Sequence, residues 1–237
     1  MSAADATYSS CTPDDEGQYA WVLKANSVKL DFENNEGRAT GAVLQFYGVP
    51  ILGSPYLSFP ISDERKSGWL PPTFDLNNKS GFEVSVPYYW NIAPNFDATL
   101  TPTVMTRRGV ALGTEVRYLT ENHAAKVDYN LLPDDRETGH SRRALYYEQA
   151  GAMPGQGNYR IGVSRVSDDE YWKDFERNIR DLTPRLLASN AQASWWRDNW
   201  QFYGRAQSWQ VLQDPTALII GPYARAPQGR ARNKTRL

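Results

Sequence analysis

Cysteine is nearly absent: the 237-residue chain carries one, Cys11. It reads either as a surface thiol in a turn or as half of a disulfide completed by sequence outside the chain. Histidine is almost as scarce. His123 and His140 fall in apparent loops with no Cys or Glu at metal-ligand spacing, so no metal site is expected. Charge of one sign does not dominate: 26 Lys and Arg stand against 27 Asp and Glu, which leaves −1 and no basic field for nucleic acid. No apolar run reaches the roughly 18 residues of a transmembrane helix. A membrane β-barrel is not excluded by this, because its strands are half polar. Glycine-rich phosphate loops and a G-x-S-x-G elbow are missing. The adjacent carboxylates Asp134-Asp135 and Asp168-Asp169-Glu170 suit turn and cap duty better than acid–base chemistry. No enzyme and no cofactor are expected.

The start, Met1-Ser2-Ala3-Ala4-Asp5-Ala6, has neither a basic nor an apolar leader segment, which points to cytoplasm or to an internal piece of a longer precursor. The close, with Arg225, Arg230, Arg232, Lys234 and Arg236 and no acidic residue, looks cut and unlike a strand.

What is plentiful is aromatic residue, with 8 Trp and 14 Tyr. In a soluble sandwich these rings form core; in a barrel many sit in interfacial girdles. The best-patterned stretch is 81–119. Phe82, Val84, Val86, Tyr88 and Trp90 alternate with Glu83, Ser85, Pro87 and Tyr89. After Asn91-Ile92-Ala93-Pro94-Asn95 the alternation resumes through Phe96, Ala98, Leu100 and Val104, then again through Val110, Leu112, Val116 and Tyr118. Period-2 alternation predicts strands with one apolar and one polar face. Pro87 and Pro102 interrupt it, each removing an N–H from the ladder.

Before this stretch, residues 7–72 read as a first unit. Trp21 to Ala25 and Val28 to Phe32 form short strands, Asn34-Asn35-Glu36-Gly37 is a turn, and Arg38 to Tyr47 alternates. Pro50, Pro55 and Pro60 exclude a helix and a flat central strand, so short β-rungs are expected over 48–60. A charged corner at 62–68 and the stiff Pro71-Pro72 place the boundary near residue 73. Residues 73–215 then read as about eight serial strands, several long enough to cross a bilayer at a tilt. A loop is expected over 133–140 and a charged aromatic loop over 168–180. Glu83, Asp97, Glu115, Arg117, Lys126 and Asp128 share the polar parity, as residues lining a wet lumen do. Residues 216–237 stay an unassigned tail.

Two segments carry a resemblance. Val49-Pro50-Ile51, Ser54 through Pro60 and Asp63 through Pro71 form the first. Val86-Pro87-Tyr88-Tyr89-Trp90-Asn91-Ile92-Ala93-Pro94-Asn95, Asp97 through Pro102, Arg107-Arg108-Gly109 and Glu115 through Leu119 form the second. Together they resemble the lipopolysaccharide-assembly outer-membrane protein family (LptD, also OstA or Imp) over about residues 7–215. The resemblance implies an all-β fold: the end of a periplasmic β-jelly roll, then the first antiparallel strands of a large transmembrane β-barrel. It implies lipopolysaccharide as cargo, with its acyl chains sliding along an apolar jelly-roll interior, for which Leu44, Phe46, Ile51, Leu57 and Phe59 are the candidates. The sugar portion would pass through the lumen, and the lipid would leave by a lateral gate where Pro87 and Pro102 loosen the first hairpin. Implied partners are the plug lipoprotein LptE, the periplasmic bridge protein LptA and outer-membrane lipid. Cys11 matches the family cysteine that pairs with a C-terminal one. A general porin-like barrel and a soluble periplasmic lipid-binding β-module are the competing readings.

Overall fold

The computed structural model describes residues 1–9, 12–13, 17–59, 61–62, 65–175 and 185–233. Its contacts divide into two compact units, Met1–Gly68 and Trp69–Leu237.

The first unit is one antiparallel sheet of four strands in sequence order: β1 (Ser2–Tyr8), β2 (Trp21–Asp31), β3 (Glu36–Phe46) and β4 (Val49–Phe59). Its small core packs Ala25, Ala39 and Ala42 beneath Leu23, Val28, Leu57 and Phe59. Ala39 and Ala42 differ in parity, so strict alternation would put them on opposite faces. Gly41, at φ +60°, lies between them and carries the switch, a conformation that side chains resist. Asp31 fixes the β2–β3 turn by accepting from the Asn34 side chain at 2.9 Å and backbone N–H at 3.1 Å, which holds its carboxyl below the usual range.

Two expectations fail here. The two short strands over 21–32 are the single strand β2, and 49–59 forms one continuous strand, not short rungs. Position explains the tolerated prolines. β4 lies at the sheet edge, where every second N–H faces away from its neighbour and can be lost without a ladder bond, and Pro50 sits at a register shift.

The second unit is an open twelve-stranded antiparallel sheet. Its strands are β5 (Gly68–Trp69), β6 (Thr73–Asn77), β7 (Gly81–Ser85), β8 (Tyr88–Ala93), β9 (Phe96–Met105), β10 (Gly109–Leu119), β11 (His123–Asp135), β12 (His140–Met153), β13 (Gln156–Val166), β14 (Leu186–Arg197), β15 (Trp200–Val211) and β16 (Arg225–Asn233). Among the described residues, one short helix, α1 (Tyr171–Asp174), lies in the connection after β13. From β9 to β16 every strand pairs with its sequence neighbour.

This order gives the sheet two unlike ends. At one, the turns are tight, at 94–95, 120–122, 154–155 and 198–199. The connections at 78–80, 106–108, 136–139 and 167–185 share the other.

Four expectations need correction. The strand expected over 81–90 breaks into β7 and β8, and it is not the edge, because β6 pairs with β7 and β5 with β8. The loop expected over 133–140 shrinks to four residues: β11 runs through Pro133 to Asp135 with a register shift, and β12 begins at His140. The histidines expected in loops open β11 and β12. The tail contains β16, which pairs with β15 from Trp200↔Asn233 to Gln207↔Arg225. A backbone ladder needs no apolar alternation, so the basic composition concealed a strand.

Candidate functional site

The break in the first strand is set by proline geometry. In an antiparallel ladder, the N–H and C=O of one residue point to the same neighbour. Val86 donates to the Pro102 carbonyl at 3.1 Å, but Pro102 has no N–H to return, so that pair keeps one bond of two. Pro87 points the other way, accepting from the Leu70 N–H at 2.8 Å. Its missing donor therefore weakens the contact with the β5 side, where Trp69 packs edge-on against Tyr88 at 5.0 Å. The two prolines lie at adjacent levels on successive seams.

Around the break the sheet has two unlike faces. Tyr89, Asp97, Thr99, Glu115, Arg117, Lys126 and Asp128 share one face by register. Arg117 reaches Asp97 at 2.7 Å, Lys126 reaches Glu115 at 2.6 Å, and the Tyr89 hydroxyl donates to Asp97 at 3.2 Å. Arg117 and the Lys126–Glu115 pair are reached by solvent and add little stability each, whereas Asp97 is buried beneath its two partners. The consequence of these pairs is a hydrophilic wall. The opposite face carries Trp90, Ala98, Val116, Val127, Tyr147 and Val163. On the same face near the tight turns, Phe96 packs with Tyr118 at 6.2 Å, and Trp195 and Trp200 flank Phe202 at 5.8 and 6.3 Å. A Cβ at Gly157 would lie 2.9 Å from Trp195, so glycine makes room for that ring. Val104 and Val110, paired across β9 and β10, remain 54% and 57% exposed, so the protein leaves this apolar face open.

At the end opposite the tight turns the polar face holds a clamp that the sequence did not announce. Asp135 is fully buried, and Arg108 and Arg142 nearly so. Arg108 contacts Asp135 at 2.6 Å and Asp174 at 2.8 Å. Arg142 contacts Asp135 at 3.3 Å, Asp174 at 3.1 Å and Asp168 at 2.7 Å. The Phe175 ring lies 5.1 Å from the Arg108 guanidinium and 5.4 Å from that of Arg142, and the Tyr171 ring lies 5.7 Å from the latter. Buried guanidiniums demand such partners, because an unpaired charge there costs several kcal/mol. Asp135 and Asp168 do perform turn duty, accepting from the Glu137 and Glu170 N–H groups at 3.1 Å each, but both are also counter-ions. Residues 171–175 thus fold onto the wall and border a half-open cavity of about 720 Å³, lined by Thr99, Thr101, Thr103, Glu115, Asp128 and Phe175 among others. Beside the clamp, Lys173 pairs with Asp214 at 2.9 Å, and that bond, reinforced by Thr216, holds the Asp214 carboxyl far below its usual range.

In the first unit Leu57 and Phe59 pack on the alanine cluster, and Leu44 pairs with Leu23 and Leu52. Phe46 is half exposed and stacks edge-on with Tyr47 at 4.8 Å. The Ile51 side chain and all of Cys11 lie outside the described residues.

A serial antiparallel meander with one wet face and one open apolar face defines the class: an all-β wall protein. A family model described as "LPS transport system D" matches residues 140–236, and one described as "LptD protein" matches residues 39–125. Similar proteins include three named "LPS-assembly protein LptD". That of Albidiferax ferrireducens is 46% identical over 236 residues, that of Acidovorax sp. 47% over 240, and that of Polaromonas sp. 44% over 245. The matches cover 94%, 94% and 100% of this chain and 30%, 29% and 30% of the relatives, so the chain spans about 30% of their length. The chain belongs to the LptD family.

Proposed function

We propose that this chain is the part of a lipopolysaccharide-assembly protein that joins a lipid-feeding jelly roll to the first wall of an outer-membrane barrel. The first unit supplies the last strands of the jelly roll in the periplasm. Acyl chains travel over Leu44, Phe46, Ile51, Leu57 and Phe59, and the sugar portion follows the hydrophilic wall. The lipid leaves sideways where Pro87 and Pro102 interrupt the ladder, a transport step with no covalent chemistry. The observation that carries this reading is the break at one level of a sheet whose outer face is otherwise continuous, apolar and uncovered. Each absent ladder bond is worth about 0.5–1.5 kcal/mol, enough to choose where a seam yields without unfolding the sheet. An aromatic band near the tight turns suits a membrane interface.

In this reading β7 rises from the periplasm, which puts the clamp on the periplasmic side. Barrels usually keep turns short there. The long connection after β13 departs from that habit because residues 168–175 pack on the wall through Arg108 and Arg142. Partners that suit the arrangement are lipopolysaccharide itself, the plug lipoprotein LptE, the bridge protein LptA and outer-membrane lipid. Cys11 would be oxidised to a C-terminal cysteine of the full-length protein.

The test places a photoreactive side chain at Leu57 or, on the other parity, at Thr40 in the full-length protein in cells. Capture of lipopolysaccharide at Leu57 but not at Thr40 is expected. Equal capture at both, or none at either, overturns the lipid path.

A further inference from the structure

The clamp reaches further than the three hairpins whose charges compose it. Arg108 Nε donates to the Lys79 carbonyl at 3.3 Å, Arg107 donates to the Asn78 carbonyl, and Lys79 Nζ donates to the Lys173 carbonyl. The backbone adds to this. Thr106 N–H donates to the Phe82 carbonyl at 3.0 Å, Arg107 N–H to the Ser80 carbonyl at 3.1 Å, and the Phe82 N–H to Thr106 Oγ1 at 3.0 Å. Gly81, at φ +76°, allows the approach, since a Cβ there would lie 2.3 Å from Thr106 Oγ1. The β6–β7 turn is therefore fastened to the β9–β10 turn, and through Arg108 to Asp135, Asp174 and Phe175. β6 covers the outer edge of β7 over its whole length, from Thr73↔Ser85 to Asn77↔Gly81. Past Val86 this changes. Apart from β9, only the two-residue β5 pairs with β8 among the described residues.

We propose that Arg108 and Arg142, with Asp135 and Asp174, are positioning residues that hold the clamp end of the first strands shut, so that opening is confined to β8 beyond Pro87. The inference rests on the lateral-exit reading and adds a direction to it. One strand is split by its proline into a fixed piece, β7, and a yielding piece, β8. The ion cluster decides which piece is fixed, although it lies on the opposite face from the departing lipid. The Phe175 ring lies against both guanidiniums, and Asp174 ties the inward-folded segment to them.

Two measurements on the full-length protein test this. In hydrogen exchange of the purified wild type, peptides of β6, β7 and the 106–108 turn should exchange at least about tenfold more slowly than those of β8. In Asp174→Asn the first group should speed up by about tenfold or more while β8 and the 154–155 turn keep their rates. Phe175→Leu, which keeps every charge, should act in the same direction and serves if Asp174→Asn does not assemble. In cells, a photoreactive side chain at Ile92 in β8 should capture lipopolysaccharide and one at Phe74 in β6 should not; in Asp174→Asn, capture should appear at Phe74. Both residues are exposed, 40% and 58%, so reach does not bias the comparison. Uniform exchange across β6–β8 in the wild type overturns the proposal. So does faster exchange at both ends of the sheet in the variants, or equal capture at Ile92 and Phe74 in the wild type. If the exchange pattern holds but neither position captures lipopolysaccharide, the positioning role stands and the exit reading falls.

Discussion

The first strand and the hairpins beside it are built from the same alternating pattern and held by different forces. β9 and β10 pair without interruption from Tyr118↔Phe96 to Gly109↔Met105, and at their far end Arg108 adds buried charge contacts. β7 and β8 share the partner β9, but between them the Val86–Pro102 pair has lost one of its two bonds. A ladder spreads its bonds evenly along a strand, whereas a buried ion cluster makes one end costly to separate, because parting it leaves charges unpaired out of water. A sheet that must yield in one place can therefore be weakened by removing donors and secured elsewhere by charge.

The largest effect is expected where that contrast is deepest. Arg142→Gln leaves Asp135 buried with one cation fewer and should destabilise the clamp end by about 3–5 kcal/mol. Denaturant unfolding of the purified full-length protein checks it, and a loss below 1 kcal/mol would mean that the ladder alone holds this end. Next comes the anchor of β7. Gly81→Val forces a side chain into positive φ and against Thr106, so about 1–3 kcal/mol should be lost and exchange of the 78–80 turn should rise. Smaller still is Pro102→Ala, which offers Val86 its missing donor and should slow exchange across the β7–β9 seam by the worth of one bond, about 0.5–1.5 kcal/mol. Pro87→Ala should leave that seam unchanged and act at Leu70.

The smallest effect concerns pH. Because the folded-state pKa of Asp214 is depressed by Lys173, its contribution is fully present above the unfolded value near 4 and is lost only as pH falls further. Exchange at Trp172 and Lys173, corrected for intrinsic rate, should therefore not change between pH 7 and about 5. A rise in that window would show that Asp214 is not what secures the segment.

Alternation made most of the wall legible. Phe96 to Val104 and Ala125 to Leu131 fall within single strands, and Phe82 to Trp90 across two, β7 and β8, because a half-buried strand repeats every two residues. The prolines were legible as defects, but their seams were not, since that depends on which neighbour each N–H faces. Pro133 suggested a loop because it ends the clean pattern, yet β11 continues to Asp135 by shifting register. Strands β1, β6 and β16 were missed: seven, five and nine residues long, they are fixed by pairing with β2, β7 and β15 and not by an apolar face of their own. The clamp was least visible. Asp135 and Arg142 share one hairpin, but Arg108 and Asp174 are distant from them in sequence, and only the stacking of successive hairpin ends brings the four together. Arg107-Arg108-Gly109 carried the resemblance, but its counter-ions looked like ordinary turn carboxylates.

The central claim is that lipid leaves where the prolines interrupt the first hairpin. Its most direct measurement is the rate at which new lipopolysaccharide reaches the cell surface in the full-length protein carrying both Pro87→Ala and Pro102→Ala, with Pro154→Ala in a tight turn as the control. Export should be slowed in the double variant, at normal protein level and assembly, and unchanged in the control. Export at the wild-type rate from a correctly assembled double variant would contradict it.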